Sequence, residues 1–268
     1  MIRGLYTSAI GMAGQMKRMD TVANNLANAD TPGFKRDVVV TQAFSDVMMQ
    51  RVREYELRGF NTTNITGPAS LGIIVSNVHR DFSAGSLQPT GSPLDLAING
   101  PGFFEIAFTD PTTGEVTIMY SRSGSFTLSD EGMLTTIGSG AGDYRVGGHP
   151  VLNTAGEPIF IPNGEIIIHE NGGISVDGVI IDTIRMVDFE NPATLRPFGD
   201  NLYTLTDESV EIPFMSGLVQ GHIETSNVNI VREMVEMIAL SRAYEANARM
   251  VSIADQTLGQ AVNEIARR

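Results

Sequence analysis

The chain has 268 residues, 42% of them apolar, no cysteine and a formal net charge of −13. That length can bury a sizeable core in one large or two small domains, while the missing cysteines exclude disulfides and thiolate metal sites. An acidic surface repels nucleic acid and anionic lipid, leaving a nucleic-acid role without support, and no apolar run approaches the roughly 18 residues of a membrane span. The charge is uneven: residues 1–53 carry seven Lys/Arg against four Asp/Glu, and residues 81–223 carry four against nineteen. The basic excess at the start reads as a solvated helix face, and the middle as an acidic body.

The N-terminal stretch sets Ile2, Leu5, Ala9, Met12, Met16, Met19, Ala23 and Leu26 in alternating steps of three and four, the spacing of a heptad seam on one helix. Asp30-Thr31-Pro32-Gly33 ends that helix, because Pro32 lacks a backbone donor and disfavours helical geometry at Thr31. Alanine and adaptable methionine fill most of the seam, so it buries little rigid volume and calls for neighbours.

Residues 34–80 form a connector. Phe44, Val47, Met48, Val52 and Tyr55 have helical spacing, Gly59 to Pro68 is turn-rich, and Gly72 to Val78 reads as a strand. From Ala84 the pattern changes to short β-rich runs separated by turn pairs: Leu94 to Ile98, Phe103 to Phe108, Val116 to Tyr120, Phe126 to Leu128 and Met133 to Thr135. After the glycine-dense Gly138 to Gly148 come Pro158 to Ile161, Glu165 to His169, Ile174 to Val176 and Val179 to Asp182. Asp177-Gly178 between β-branched runs is the strongest hairpin signal. This grammar predicts an all-β sandwich or open barrel, with no βαβ rhythm.

The last stretch reads as one helix from about Asn227 to near Ile265, roughly 60 Å long at about 1.5 Å per residue. Counting in sevens gives Ile230, Met237, Tyr244, Val251, Leu258 and Ile265 as one row, with Glu233, Leu240, Asn247, Ala254 and Ala261 as the complementary row. A polar Asn247 in a seam fixes register at some cost in stability. Thr225 to Asn227 offer N-cap side chains. The fold class expected is therefore α+β: long N- and C-terminal coiled-coil helices pairing around an all-β middle. The divisions are 1–33, 34–80, 81–223 and 224–268.

Four segments carry a family resemblance. VANNLANADTPGFKR (Val22 to Arg36), LQPTGSPLDLAINGPGFF (Leu87 to Phe104), YSRSGSFTLSDEGML (Tyr120 to Leu134) and SNVNIVREMVEMIALSRAYEAN (Ser226 to Asn247) resemble, in order, four signatures of the bacterial flagellar rod and hook proteins. Length and the LDLAI-G-x-GFF wording are most similar to the rod proteins near the hook. The resemblance implies a non-enzymatic axial subunit of the flagellar basal body in the cell envelope, with no cofactor, exported through the flagellar type III apparatus without a cleaved signal peptide. It implies self-assembly into a hollow shaft that transmits torque from motor to hook, the terminal helices forming the inner tube. The implied partners are copies of itself, neighbouring rod and hook subunits, the export apparatus and rings around the rod, with no nucleic acid and no membrane insertion.

Carried over residue by residue, the resemblance implies that Asn24, Asn25, Asn28, Thr31, Gly33 and Phe34 shape the turn after the first helix. Leu94, Asp95, Gly100, Gly102, Phe103 and Phe104 would open the β domain, and Ser226, Asn227, Arg242, Tyr244, Glu245 and Asn247 would lie on the assembly face of the last helix. With these stand the seam residues Leu5, Met12, Met16, Met19, Leu26, Ile230, Met237, Leu240, Val251 and Leu258 as the expected assembly interface. Plainer readings stand beside them: Asn24 and Asn28 capping their own helix, Asp95 solvated, Tyr244 as core, and the four histidines as scattered surface residues. Gly100-Pro101-Gly102 lacks the third glycine and the following helix of a phosphate loop. The alternative from another class is an extracytoplasmic enzyme acting on cell-wall glycan. It needs two carboxylates converging across a cleft, and no spacing here singles out such a pair.

Overall fold

The computed structural model describes residues 2–43, 47–52, 63–69, 73–110, 114–137, 148–199 and 201–265. The chain divides into two compact units: Met1–Leu26, Asp37–His79 and Asn229–Arg268 make the first, and Ala27–Arg36 with Arg80–Val228 the second.

The first unit holds α1 (Ile2–Ala27), β1 (Asp37–Ala43), β2 (Val47–Val52), β3 (Thr63–Ala69), β4 (Ile73–Arg80) and the C-terminal helix α2 (Ile230–Ile265). The segment from 47 to 52, read from its spacing as helical, is a strand: β2 pairs antiparallel with β3, Val47 opposite Ala69 and Val52 opposite Thr63. Ladder bonds to a neighbouring strand override a short apolar spacing. Pairing of β1 with β4 agrees with the strand read at Gly72 to Val78. Phe44, Tyr55, residues 59–62 and the glycine-dense 138–147 lie outside the described residues.

Helix α1 ends where the turn chemistry places its end. Its inward row departs from the expected one: Leu5, Met12, Met19 and Leu26 are half-buried, but Ala9, Met16 and Ala23 are exposed, and Ser8, Gln15 and Val22 occupy the inward positions between them. Starting from Leu5, a step of three is as good a helical neighbour as a step of four. Hydropathy chose the alanines, whose single methyl gives little drive for burial. Helix α2 begins three residues later than expected. Asn229 is its cap, the side-chain Oδ1 accepting from the Arg232 N–H at 3.0 Å and the carbonyl from the Glu233 N–H at 3.0 Å.

The second unit is mostly β. Its strands are β5 (Leu87–Pro89), β6 (Leu96–Asn99), β7 (Phe103–Thr109), β8 (Val116–Ser121), β9 (Phe126–Leu128) and β10 (Leu134–Thr136). Then follow β11 (Ile166–Ile168), β12 (Gly173–Val176), β13 (Val179–Thr183), β14 (Met186–Phe189) and β15 (Arg196–Gly199). The last are β16 (Leu202–Thr204), β17 (Glu211–Pro213), β18 (Gly217–Gln220) and β19 (His222–Glu224). An open six-stranded sheet has the order β15-β16-β8-β7-β14-β17, β11-β12-β13 form a second sheet, and the pairs β9-β10, β6-β18 and β5-β19 are ribbons. The expected hairpin at Asp177-Gly178 is present: Val176 pairs with Val179, and both turn residues have positive φ, 49° and 83°, as a type I′ turn requires.

β7 is buried on both faces. Phe104 packs with Leu96, Leu134, Ile159 and Ile174 in the larger core, and Phe103 with Tyr120, Phe189 and Tyr203 in an aromatic core on the other face. On the Phe103 face lies Glu105, 1% exposed. Its Oε1 accepts from Arg185 Nε at 2.8 Å, and its Oε2 has no hydrogen-bond partner among the described residues. Burial pushes the Glu105 carboxyl above its ordinary value, an effect that nearby Glu211 reinforces and Arg185 only partly offsets. A carboxyl raised in the folded state binds its proton more tightly there than in the unfolded chain. Its stabilising contribution is therefore complete below about pH 4.3, the unfolded value, and is lost as pH rises through the raised value. Glu105→Gln is expected to raise the thermal midpoint at neutral pH, with the gain disappearing near pH 4; melting curves at the two pH values check this.

Candidate assembly interface

The turn after α1 is bound into the β unit through a buried charge cluster. Glu224, at the end of β19, has a 2% exposed side chain. Its Oε1 accepts from Lys35 Nζ at 2.7 Å and from the Gly85 N–H at 2.8 Å, and its Oε2 accepts from Arg122 Nε at 2.8 Å. Lys35 Nζ also donates to the Ser83 carbonyl at 2.7 Å. The Arg122 guanidinium donates onward to the carbonyls of Gly102 and Gly100 at 2.5 and 2.6 Å and lies over the Phe103 ring. Those carbonyls turn Gly100-Pro101-Gly102 into a cation acceptor, the reverse of a phosphate loop, which presents N–H donors. Burial by itself raises the Glu224 carboxyl, but Arg122, Lys35 and the Gly85 N–H outweigh it and hold the group below the usual carboxylate range.

Backbone contacts close the same junction. The Gly33 N–H donates to the Glu224 carbonyl at 2.8 Å. Gly33 has φ +70°, and a Cβ there would lie 2.6 Å from the Ser123 nitrogen, so glycine is required both for conformation and for space. Asn28 and Thr31 form the preceding turn, Thr31 N–H to Asn28 O at 3.2 Å, and Phe34 is buried with Arg80 over its ring. Asn227 accepts the Arg36 N–H and donates to the Asp81 carbonyl, both at 2.8 Å. It joins the segment leaving the turn to the one leaving β4 instead of capping α2. Half-buried Asp95 uses its carbonyl to accept the Gly221 N–H at 2.7 Å. Of the family-motif residues, the structure thus brings Gly33, Gly100, Gly102 and Phe103 to one cluster, while Phe104 and Leu94 belong to the larger core.

Within the first unit, Asn25 is 2% exposed. Its amide donates to the Asp37 carbonyl at 2.9 Å and its oxygen accepts the Asp37 N–H at 2.8 Å, while the same amide reaches Glu233 Oε2 at 3.4 Å. Arg18 pairs with Glu236 at 2.9 Å, and a Cβ on Gly11 would lie 3.1 Å from Asn247 Nδ2. These contacts rise through α1 as they fall through α2, so the helices run antiparallel. Leu240 is buried at 4% and Met237, Tyr244, Asn247, Val251 and Leu258 are half-buried. Ile230, Met16 and Asn24 face outward.

Sequence reasoning missed Lys35, Arg122 and Glu224. Lys35 and Arg122 sit inside quoted motifs, where a lone cation beside buried aromatics was the available signal. Among the described residues no cluster of His, Asp or Glu suits a metal ion, and no helix is long and apolar enough to cross a membrane. Glu224→Gln leaves two buried cations without their anion and is expected to cost about 3–5 kcal/mol. Since the native carboxyl is depressed, its contribution is present above about pH 4.3 and is lost as pH falls through the lowered value. The variant should therefore show a shallower loss of stability on acidification than the parent, measured by urea unfolding between pH 7 and pH 3.

Comparison with known proteins matches residues 5–35 to the family described as "Flagella basal body rod protein" and residues 219–264 to "Flagellar basal body rod FlgEFG protein C-terminal". The chain is 35% identical to the flagellar basal-body rod protein FlgG of Buchnera aphidicola subsp. Schizaphis graminum, covering 96% of this chain and 98% of the relative. It is 32% identical to the rod protein FlgF of Caulobacter vibrioides, covering 96% and 97%. With the hook-basal body complex protein FlhO of Bacillus subtilis the identity is 29% over the full length of both. The two matched segments contain Lys35 and Glu224, the ends of one buried ion pair.

Proposed function

Because the chain belongs to the bacterial flagellar basal-body rod family, in which it is a structural subunit, we propose that it polymerises into a hollow helical shaft transmitting torque from motor to hook. In that reading it is not catalytic. Its β unit faces outward, and α1 and α2 pair as a coiled coil lining the channel. Support for the coiled coil comes from the residues that meet: Gly11, Arg18 and Asn25 step by seven along α1 and reach Asn247, Glu236 and Glu233 in turn back along α2. Small Gly11 gives Asn247 room to sit in the seam, where a polar residue sets register.

The observation that carries the assembly reading is the exposed apolar line on α2, with isolated exposed apolar residues on α1. Tyr6 and Met16 on α1 are 61% and 53% exposed, and Val231, Val235 and Ile238 on α2 are 67%, 63% and 54% exposed. Large apolar side chains standing in line on a long helix mark a surface that another protein covers. We read the helices as ordering fully when neighbours bury these faces, the β unit folding beforehand. Export through the flagellar type III apparatus and contact with neighbouring rod, hook and ring proteins complete the proposal. No observation favours the cell-wall glycan reading.

Met237→Pro places a helix breaker costing about 3 kcal/mol in the half-buried seam. Polymerisation followed by sedimentation should be abolished, while the unfolding transition of the β unit is retained. Loss of that transition in the variant would count against separate folding of the two units.

A further inference from the structure

The outward faces of α1 and α2 match each other in both size and charge. On α1 the outward row runs through Ala9, Ala13, Lys17, Asp20 and Asn24, in steps of four, four, three and four, all exposed. On α2, read backwards, it runs through Ile253, Arg249, Glu245, Arg242 and Ile238, in the same steps and all exposed. Side chains three and four apart share a helix face, so two antiparallel helices laid together along these rows meet position for position.

From this correspondence we propose that α1 of one copy docks on α2 of the next in a single register: Lys17 opposite Glu245, Asp20 opposite Arg242, and Ala9 opposite Ile253. The inference rests on the polymerising-subunit reading and specifies the partner surface of that site, a second copy of this chain. Size complementarity comes from the alanine positions, which leave room for the isoleucine, 54% exposed in the single chain. Lys17 selects the register, since Asp20 would still meet an arginine, Arg249, in one of the two neighbouring registers. Sliding by one heptad sets Lys17 opposite Ile238 or Ser252, and neither carries the matching carboxylate. Glu245 is at present engaged only weakly, Arg249 standing 3.8 Å away with side chains 60% and 79% exposed, a pair worth little in solvent.

The two rows are different surfaces on one subunit, so each docking leaves an α1 face open at one end and an α2 face open at the other. Such a heterologous contact continues as an open assembly instead of closing as a dimer. The intrachain contacts use another side of each helix, through Arg18–Glu236 and Asn25–Glu233.

The chain has no cysteine, so the register is directly testable in the full protein. Ala9→Cys with Ile253→Cys, oxidised under conditions where the parent sediments as polymer, should give a ladder of disulfide-linked multimers. An internally linked monomer, a ladder that stops at dimer, or polymer without cross-links would overturn the register. Lys17→Glu should raise the concentration needed for polymerisation about tenfold or more, since like charges in contact are costly, and adding Glu245→Lys should restore it. A double variant as impaired as the single one would also overturn the pairing. If the parent sediments as monomer at every concentration, the polymerising reading fails with it. If the parent polymerises and the ladder is absent, only the register fails.

Discussion

The Glu224 carboxylate is the interaction on which the β unit depends. One anion, almost wholly removed from water, answers two cations that approach from distant parts of the chain, and a loop N–H completes its shell. Through Lys35 it holds the turn that follows α1, and through Arg122 it holds the Gly100–Gly102 loop that leads into β7. A buried ion pair is not in itself a strong source of stability, because desolvation consumes most of the Coulombic gain. Its effect is conditional: once both cations are in place, the anion cannot be absent without leaving uncompensated charge in a dry site. That condition forces residues 33–36, 83–85, 100–102, 122 and 224 to one place, and it explains why glycine stands at position 33, where the backbone packs against Ser123.

Around this junction the aromatic residues divide the labour. Phe103 lies beneath the Arg122 guanidinium and stacks edge-on with Phe189 and Tyr203, while its neighbour Phe104 enters the opposite core against Phe126. Two adjacent residues on a strand point to opposite faces, so the Phe-Phe pair fastens β7 to both layers at once. Glu105 continues the Phe103 face and carries a buried carboxyl oxygen with no hydrogen-bond partner among the described residues.

Much of this was legible from the sequence where local rules act alone. The two helices, the Asp177-Gly178 hairpin and the β strands between Phe103 and Thr183 follow from periodicity and turn chemistry. The rest depended on contacts that no local pattern encodes. Lys35 and Glu224 are 189 positions apart, and neither looks unlike a surface charge until the fold joins them. Strands β15 to β19 are three or four residues long, too short for alternation to register. On α1 the structure half-buries Ser8 and exposes Ala9, where hydropathy pointed to the alanine. Ala9, passed over for the intrachain face, opens the proposed docking row.

The proposed division of labour is a β unit tied together by buried charge and a helical unit whose helices meet each other on one side and present exposed rows to a neighbour on the other. Limited proteolysis of the dilute protein and of its polymer, with the fragments identified by mass spectrometry, tests it most directly. The account predicts that cuts in the dilute protein fall within Met1–Leu26, Asp37–His79 and Asn229–Arg268 while Arg80–Val228 survives, and that polymerisation protects the helices. Helices already protected at low concentration, or cuts through Arg80–Val228 as fast as through the ends, would contradict it.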